Sequence, residues 1–158
     1  MHDANPTHWP QRVSLITLGM MDVDRAARFY TAMGWRAVET MPNMVVYDLL
    51  GQSIGLYDRA ALARDMGLEL SELGTGAMTL ALNARSKAQV DQYFDAARQA
   101  GARVLKAPHD VFWGGYIAYI ADPDGHVWEL AFNPFSPLRA DGAFRWAGFG
   151  PEEGDGGR

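Results

Sequence analysis

The stretch ADPDGHVWEL, residues 121–130, sets a tight turn in front of a strand that carries an acid, Glu129, among apolar neighbours. The run Asp-Pro-Asp-Gly favours a type I turn, because proline presets φ at its second position and glycine tolerates the backbone that closes it. Alternation along the strand puts Val127, Glu129 and Ala131 on one face and Trp128 and Leu130 on the other. One face is built for packing. The other holds a carboxylate that a strand alone does not require.

Outward from this hairpin, residues 115–121 (GYIAYIA) read as the partner strand and residues 103–107 (RVLKA) as a further one. Residues 86–89 (SKAQ) fit a capping box, in which serine and glutamine satisfy each other's free backbone donors. Val90, Phe94 and Ala97 form the buried stripe of the helix that follows, Gly101 ends it, and residues 78–83 (MTLALN) precede it as a strand. The order is strand, helix, three strands.

The first half of the chain has the same order. Residues 13–20 (VSLITLGM) alternate as a strand, Asp22 is the expected N-cap of a helix with Val23, Ala26, Ala27, Tyr30 and Met33 at helical spacing, and Gly34 stops it. Three strands are expected after it, at residues 35–40, 44–49 and 53–57, the last two joined by a turn at Gly51-Gln52. Thr17-Leu18 recurs as Thr79-Leu80, an offset of 62 residues. The expected fold is α+β: two βαβββ modules at residues 12–57 and 77–135, packed around a shared cleft. Residues 1–11 are expected to be a flexible arm and residues 58–76 a connector with a short helix over 59–67. Residues 136–158 form a tail whose Phe144, Trp146 and Phe149 should dock on the same chain and whose last eight residues should be mobile. Trp35 and Trp128 are expected in the core.

Composition narrows the partners. The 158 residues are 48% hydrophobic and 21% charged, enough for one core. A net charge of −5 with 14 scattered Lys and Arg argues against nucleic acid as a partner. There is no cysteine, which removes disulfides, thiolate metal sites and cysteine nucleophiles. No apolar run approaches the roughly 20 residues of a membrane span and the start of the chain has no signal pattern, so a cytoplasmic, unanchored protein is expected. No serine sits in a nucleophile elbow, and the glycines at 74 and 76 make no phosphate loop.

Residues 17–35 (TLGMMDVDRAARFYTAMGW) and 113–135 (WGGYIAYIADPDGHVWELAFNPF) resemble the vicinal oxygen chelate superfamily, which contains glyoxalase I, extradiol dioxygenases, fosfomycin resistance enzymes and bleomycin-binding proteins. The resemblance implies modules that each contribute four strands to a curved mixed sheet around a ligand cleft, and a homodimer. It also implies a divalent metal held by His, Glu or Gln at four positions. Those positions fall here on Leu15, Gly55, Ala77 or Met78, and Glu129. Only Glu129 is a competent ligand, and a catalytic zinc or iron site takes about three. His2 and His8 belong to the arm, His109 reads as a loop residue beside Pro108, and His126 faces away from Glu129. No metal or other cofactor is therefore expected.

Three roles for Glu129 remain open: receiving the cationic part of a ligand, acting as a general base or acid, or resting as an internal acid bonded to a tyrosine. Partial desolvation should favour its neutral form unless a cation or a donor accompanies it. Tyr119, Ile117, Trp113, Thr17, Tyr47 and Tyr57 are the other expected ligand contacts, an aromatic lining that suits an organic molecule. The leading expectation is metal-independent binding of a small aromatic or cationic compound. Against it stand an enzyme that uses Glu129 as base or a non-standard metal site, and a pure assembly module.

Overall fold

A computed structural model of the chain describes residues 9–151. His2, His8 and all but the first of the eight tail residues expected to be mobile lie outside the described residues. The elements run β1 (Leu15–Met20), α1 (Val23–Ala32), β2 (Glu39–Met41), β3 (Met44–Asp48), β4 (Ser53–Asp58), α2 (Arg59–Met66), a short 3-10 turn (Leu70–Glu72), β5 (Leu80–Ala84), α3 (Lys87–Gln99), β6 (Arg103–Asp110), β7 (Tyr116–Ala121) and β8 (Val127–Phe132). The strands form two four-stranded mixed sheets, ordered β1-β4-β3-β2 and β5-β8-β7-β6. In each, the first strand of the repeat lies parallel to the last, and the remaining pairs are antiparallel. The fold is α+β and built twice from one plan.

Local chemistry sets the helix ends. Asp22 caps α1 by accepting from the Arg25 N–H at 2.9 Å, and Asp58 caps α2 through the Ala61 N–H at 2.7 Å. Gly67 closes α2 with φ 71°, a left-handed geometry that favours glycine. Ser86 caps α3 through the Gln89 N–H at 3.1 Å, but the Gln89 side chain reaches the Arg85 N–H at 2.7 Å rather than that of Ser86. The box closes one residue further upstream than the pattern implies.

Two strands differ from their sequence reading. Residues 35–40 contribute only Glu39–Met41 to the sheet, because the Trp35 N–H bonds the Tyr30 carbonyl at 3.0 Å and its ring stacks on Tyr30 at 5.1 Å. The tryptophan closes the end of α1 instead of entering a strand. β6 runs past residue 107 through Pro108 to Asp110; it is an edge strand, where the missing N–H of proline is tolerated. His109 is consequently a strand residue, not a loop residue.

Strand register also corrects the repeat. Ile16 pairs with Ile54 and Leu80 with Trp128, so aligning the turn glycines Gly51 and Gly125 makes Leu80 the counterpart of Ile16. The offset between the leading strands is thus 64 residues, two more than the Thr-Leu recurrence suggests. Ala81 answers to Thr17, and Thr79, just ahead of β5, to Leu15.

The helix-facing sides of both sheets share one core, with Leu18, Met20, Phe29, Tyr30 and Tyr47 from the first module and Val90, Phe94, Ile120, Trp128 and Leu130 from the second. Trp128 is buried, and Trp35 packs edge-on against it at 5.7 Å. At the joint, the Tyr30 hydroxyl donates to Asp122 Oδ2 at 2.7 Å and accepts from Trp128 Nε1–H at 3.0 Å. Oδ1 of Asp122 accepts the Asp124 and His126 N–H groups, both at 2.9 Å. Asp124 in turn accepts the Met21 N–H at 2.7 Å, and the His126 ring donates to the Gly19 carbonyl at 2.8 Å. The turn of residues 122–125 is the clasp between modules.

The described part of the tail docks on its own chain. Arg85 donates to the carbonyls of Arg139 and Ala140 at 2.8 and 3.0 Å, and the guanidinium groups of Arg139 and Arg145 lie 5.1 and 4.9 Å from the Phe149 ring centre. Phe144 and Trp146 are the exceptions, 42% and 82% exposed. No helix among the described residues is long and apolar enough to cross a membrane.

Replacing Tyr30 by Phe leaves a buried carboxylate oxygen and an indole N–H without a partner, and should lower the free energy of unfolding by about 3 kcal/mol in urea denaturation. Burial, then the facing Asp122, raises the Tyr30 phenol above its ordinary value. Its contribution to stability is therefore complete below about pH 10 and declines above it, where the unfolded chain ionises first. That alkaline decline should be smaller in Tyr30→Phe.

Candidate functional site

Opposite the core, each sheet has a concave face, and alternation decides what it carries. On the second sheet β8 presents Val127, Glu129 and Ala131, β7 presents Ile117, Tyr119 and Ala121, and β5 adds Ala81 and Asn83. Tyr119 and Glu129 are direct cross-strand partners, and the Tyr119 hydroxyl donates to Glu129 Oε2 at 3.0 Å. The donor that the sequence reading required beside the acid is this phenol. Glu129 Oε1 makes no hydrogen bond among the described residues. Burial, then the hydrogen bond and charge of Glu129, raise the Tyr119 phenol above the usual tyrosine value. Ile117 lies one row along, paired with Ala131.

Thr17 and Tyr57 lie on the concave face of the first sheet. They line a cavity of about 510 Å³ with Met41, Met44 and, from α2, Leu62 and Asp65; no residue of the second sheet contributes to it. Its polar mark is the Tyr57 hydroxyl, which donates to Asp65 at 2.9 Å. The expected lining is therefore divided between two faces.

Two expected contacts lie elsewhere. Tyr47 is 1% exposed and packs against Tyr30 and Trp35 in the core, because β3 turns Val45 and Tyr47 toward the helices and Met44 and Val46 toward the concave side. Trp113 sits in the loop between β6 and β7, its ring over Gly115, where an added Cβ would lie 2.0 Å from the indole. It lines a separate hollow of about 350 Å³ with Asn133, Phe135, Ser136 and Trp146. Neither residue joins Glu129.

The four implied metal positions do not make a donor set. Leu15 has no lone pair, and register gives Thr79, rather than Ala77 or Met78, as its counterpart. At Gly55, the counterpart of Glu129, a Cβ would meet the Met44 methyl at 2.3 Å. The space a ligand side chain would take is filled by a thioether. Among the described residues no three His, Cys, Asp or Glu side chains come together as a metal site. One carboxylate and one hydroxyl do not fit the divalent ion of this site plan.

β6 supplies side chains that the sequence reading passed over. Lys106 pairs with Tyr119 and His109 with Ile117, so both belong to the concave face of the second sheet. The signal in the sequence was a basic residue at every third position, a spacing that a regular strand would scatter over both faces.

Comparison with known proteins follows this geometry. Residues 12–130 match the family model described as the Glyoxalase/Bleomycin resistance protein/Dioxygenase superfamily. A glyoxalase-related enzyme from Fulvimarina pelagi superposes with a TM-score of 0.82 at 35% identity, covering 87% of this chain and 99% of that one. Lactoylglutathione lyase from Agrobacterium tumefaciens superposes with a TM-score of 0.62 at 25% identity, covering 78% and 95%. A putative lactoylglutathione lyase of Brassica oleracea var. gemmifera is 25% identical over 138 residues, 81% of this chain but 48% of that protein. The chain spans about half the length, or less, of the curated relatives it matches.

Glu129→Gln removes the charge that holds the Tyr119 proton. The tyrosine titration, followed by ultraviolet difference absorbance, should show one phenol moving down toward the ordinary value, with stability changed by no more than about 1 kcal/mol.

Proposed function

The chain belongs to the glyoxalase/bleomycin resistance protein/dioxygenase superfamily, and from that premise we propose that it binds a small organic molecule on the concave face of the second sheet without a resident metal. The observation that carries this reading is the Tyr119–Glu129 pair: one carboxylate oxygen is held by the phenol and the other is left for a ligand, beside the half-buried Val127 and the buried Ile117 and Ala131. Such a carboxylate orients a cationic or hydrogen-bond-donating group, and the apolar neighbours supply contact area. Gly55, covered by Met44, supports the metal-free part of the proposal.

A second copy of the chain completes the site in this reading. The cavity at Thr17 and Tyr57 has apolar walls and the face at Glu129 has the polar anchor, yet the two belong to different sheets joined through their opposite sides. A two-fold arrangement that sets the first sheet of one protomer against the second sheet of its partner supplies both to one ligand, and buries Leu15 and Met41, which are exposed in the single chain.

The same pair favours a second reading, a lyase or isomerase in which Glu129 moves a proton and Tyr119 positions it. The names of the similar lactoylglutathione lyases point that way. In either case Glu129 is the residue to change. A thermal-shift screen against a metabolite and antibiotic library should yield ligands whose affinity falls at least about tenfold in Glu129→Gln. Purified protein should contain well under one divalent ion per chain by elemental analysis, and light scattering should give the mass of a dimer. A stoichiometric metal lost in Glu129→Gln would overturn the metal-free reading, and turnover without metal that vanishes in that variant would favour the proton-transfer reading.

A further inference from the structure

β6 breaks its own alternation twice. It pairs with β7 through Arg103↔Ala121, Lys106↔Tyr119 and His109↔Ile117, with register shifts between Val104 and Lys106 and between Lys106 and His109. Three steps along β6 match two along β7, and then do so again. Residues three apart in a regular strand point to opposite faces. Each shift restores the face, so Arg103, Lys106 and His109 all lie on the side of Ala121, Tyr119 and Ile117, which is also the side of Glu129. Bulges are the backbone device that re-aims side chains in this way.

The stripe is available for a ligand. Among the described residues neither Arg103 nor Lys106 enters an ion pair, and Asp110, which pairs with Lys87, lies on the other face opposite Tyr116. His109 Nδ1 sits 2.9 Å from the Ala107 carbonyl. A carbonyl only accepts, so Nδ1 carries the proton it shares with Ala107; an unprotonated Nε2 is an acceptor, and the ring meets a carboxylate through Nε2 only as the imidazolium. Protection of a sheet edge also explains basic residues on β6, but charge on either face serves that purpose. It gives no reason for two bulges that gather Arg103, Lys106 and His109 beside one carboxylate, in a chain of net charge −5.

We propose that this face recognises a zwitterionic organic molecule, with its amine on Glu129 and its carboxylate on Lys106, beside His109. The inference rests on the binding reading above and adds the chemical class of the ligand. β8 and β6 are two strand spacings apart, about 10 Å, which is the span of a ligand whose two poles are separated by roughly one aromatic ring. Tyr119 lies between the two poles in the register, and Ile117 and Ala131, both buried, back the next row.

The test is an NMR titration of the full chain with three probes: benzylamine, benzoate and 4-(aminomethyl)benzoate. The zwitterion should bind about tenfold tighter than either singly charged probe, and added salt should weaken it. The double variant Lys106→Gln, His109→Gln, at partly or fully exposed positions, should reduce the zwitterion to the affinity of benzylamine and leave benzylamine itself unchanged. If benzylamine binds the wild-type chain as tightly as the zwitterion, or the double variant holds the zwitterion undiminished, the inference is overturned while the binding reading stands. If none of the probes shifts resonances of Tyr119 or Ile117, both are overturned.

Discussion

A buried carboxylate organises this molecule. Asp122 is 3% exposed, and its two oxygens are filled by a phenol from α1 and two amides of its own turn. Left without those donors, such a group would favour unfolding by several kcal/mol. Because one donor is Tyr30, the cost of burying Asp122 is offset only when the first module lies against the second. The surrounding contacts, His126 to Gly19 and Asp124 to Met21, depend on the same approach. Hydrophobic contact alone would let the modules slide; the carboxylate sets one relative position.

That position decides what is left open. With the helix-facing sides of both sheets spent on a common core, the concave faces lie outside that core, though Ile117, Ala121 and Ala131 are buried there too. The two have different chemistry at equivalent positions. β4 places Gly55 beneath the Met44 methyl, and β8 places Glu129 beside Tyr119. The repeat has become an apolar half and a polar half. Its internal symmetry is intact in the backbone and broken in the side chains, which is where recognition differs from folding.

Most of the backbone was legible in the sequence because it is set by local rules. Helix caps at Asp22 and Ser86, stops at glycines and period-two alternation all act within a few residues. The departures come from contacts that a local pattern does not contain: Trp35 stacking on Tyr30 shortened β2, and the edge location of β6 allowed Pro108 inside a strand. At the site, the facing of Glu129 and Tyr119 followed from alternation, since both belong to regular central strands. Tyr47 did not, because choosing the inward face of β3 depends on the helix above it. Trp113 did not either, because a loop has no period. The basic stripe on β6 was hidden for the opposite reason: a spacing of three shares a strand face only where the strand is bulged, and bulges leave no mark in the sequence here.

Those departures bear on why charged side chains collect on the second sheet. A central strand such as β8 is constrained by hydrogen bonds on both edges, so it contributes every second residue to a face and cannot group like side chains more closely. An edge strand has one free side and admits an extra residue wherever a bulge helps. β6 uses that freedom to line cations along the rim, and β8 holds the single anion rigidly where its partner phenol can reach it. The first sheet has no such bulge in its pairings, and its concave face stays apolar around Met44. A fixed acid in the sheet and a basic rim are separable parts, so the side chains of β6 can change without disturbing the Asp122 clasp on which the fold depends.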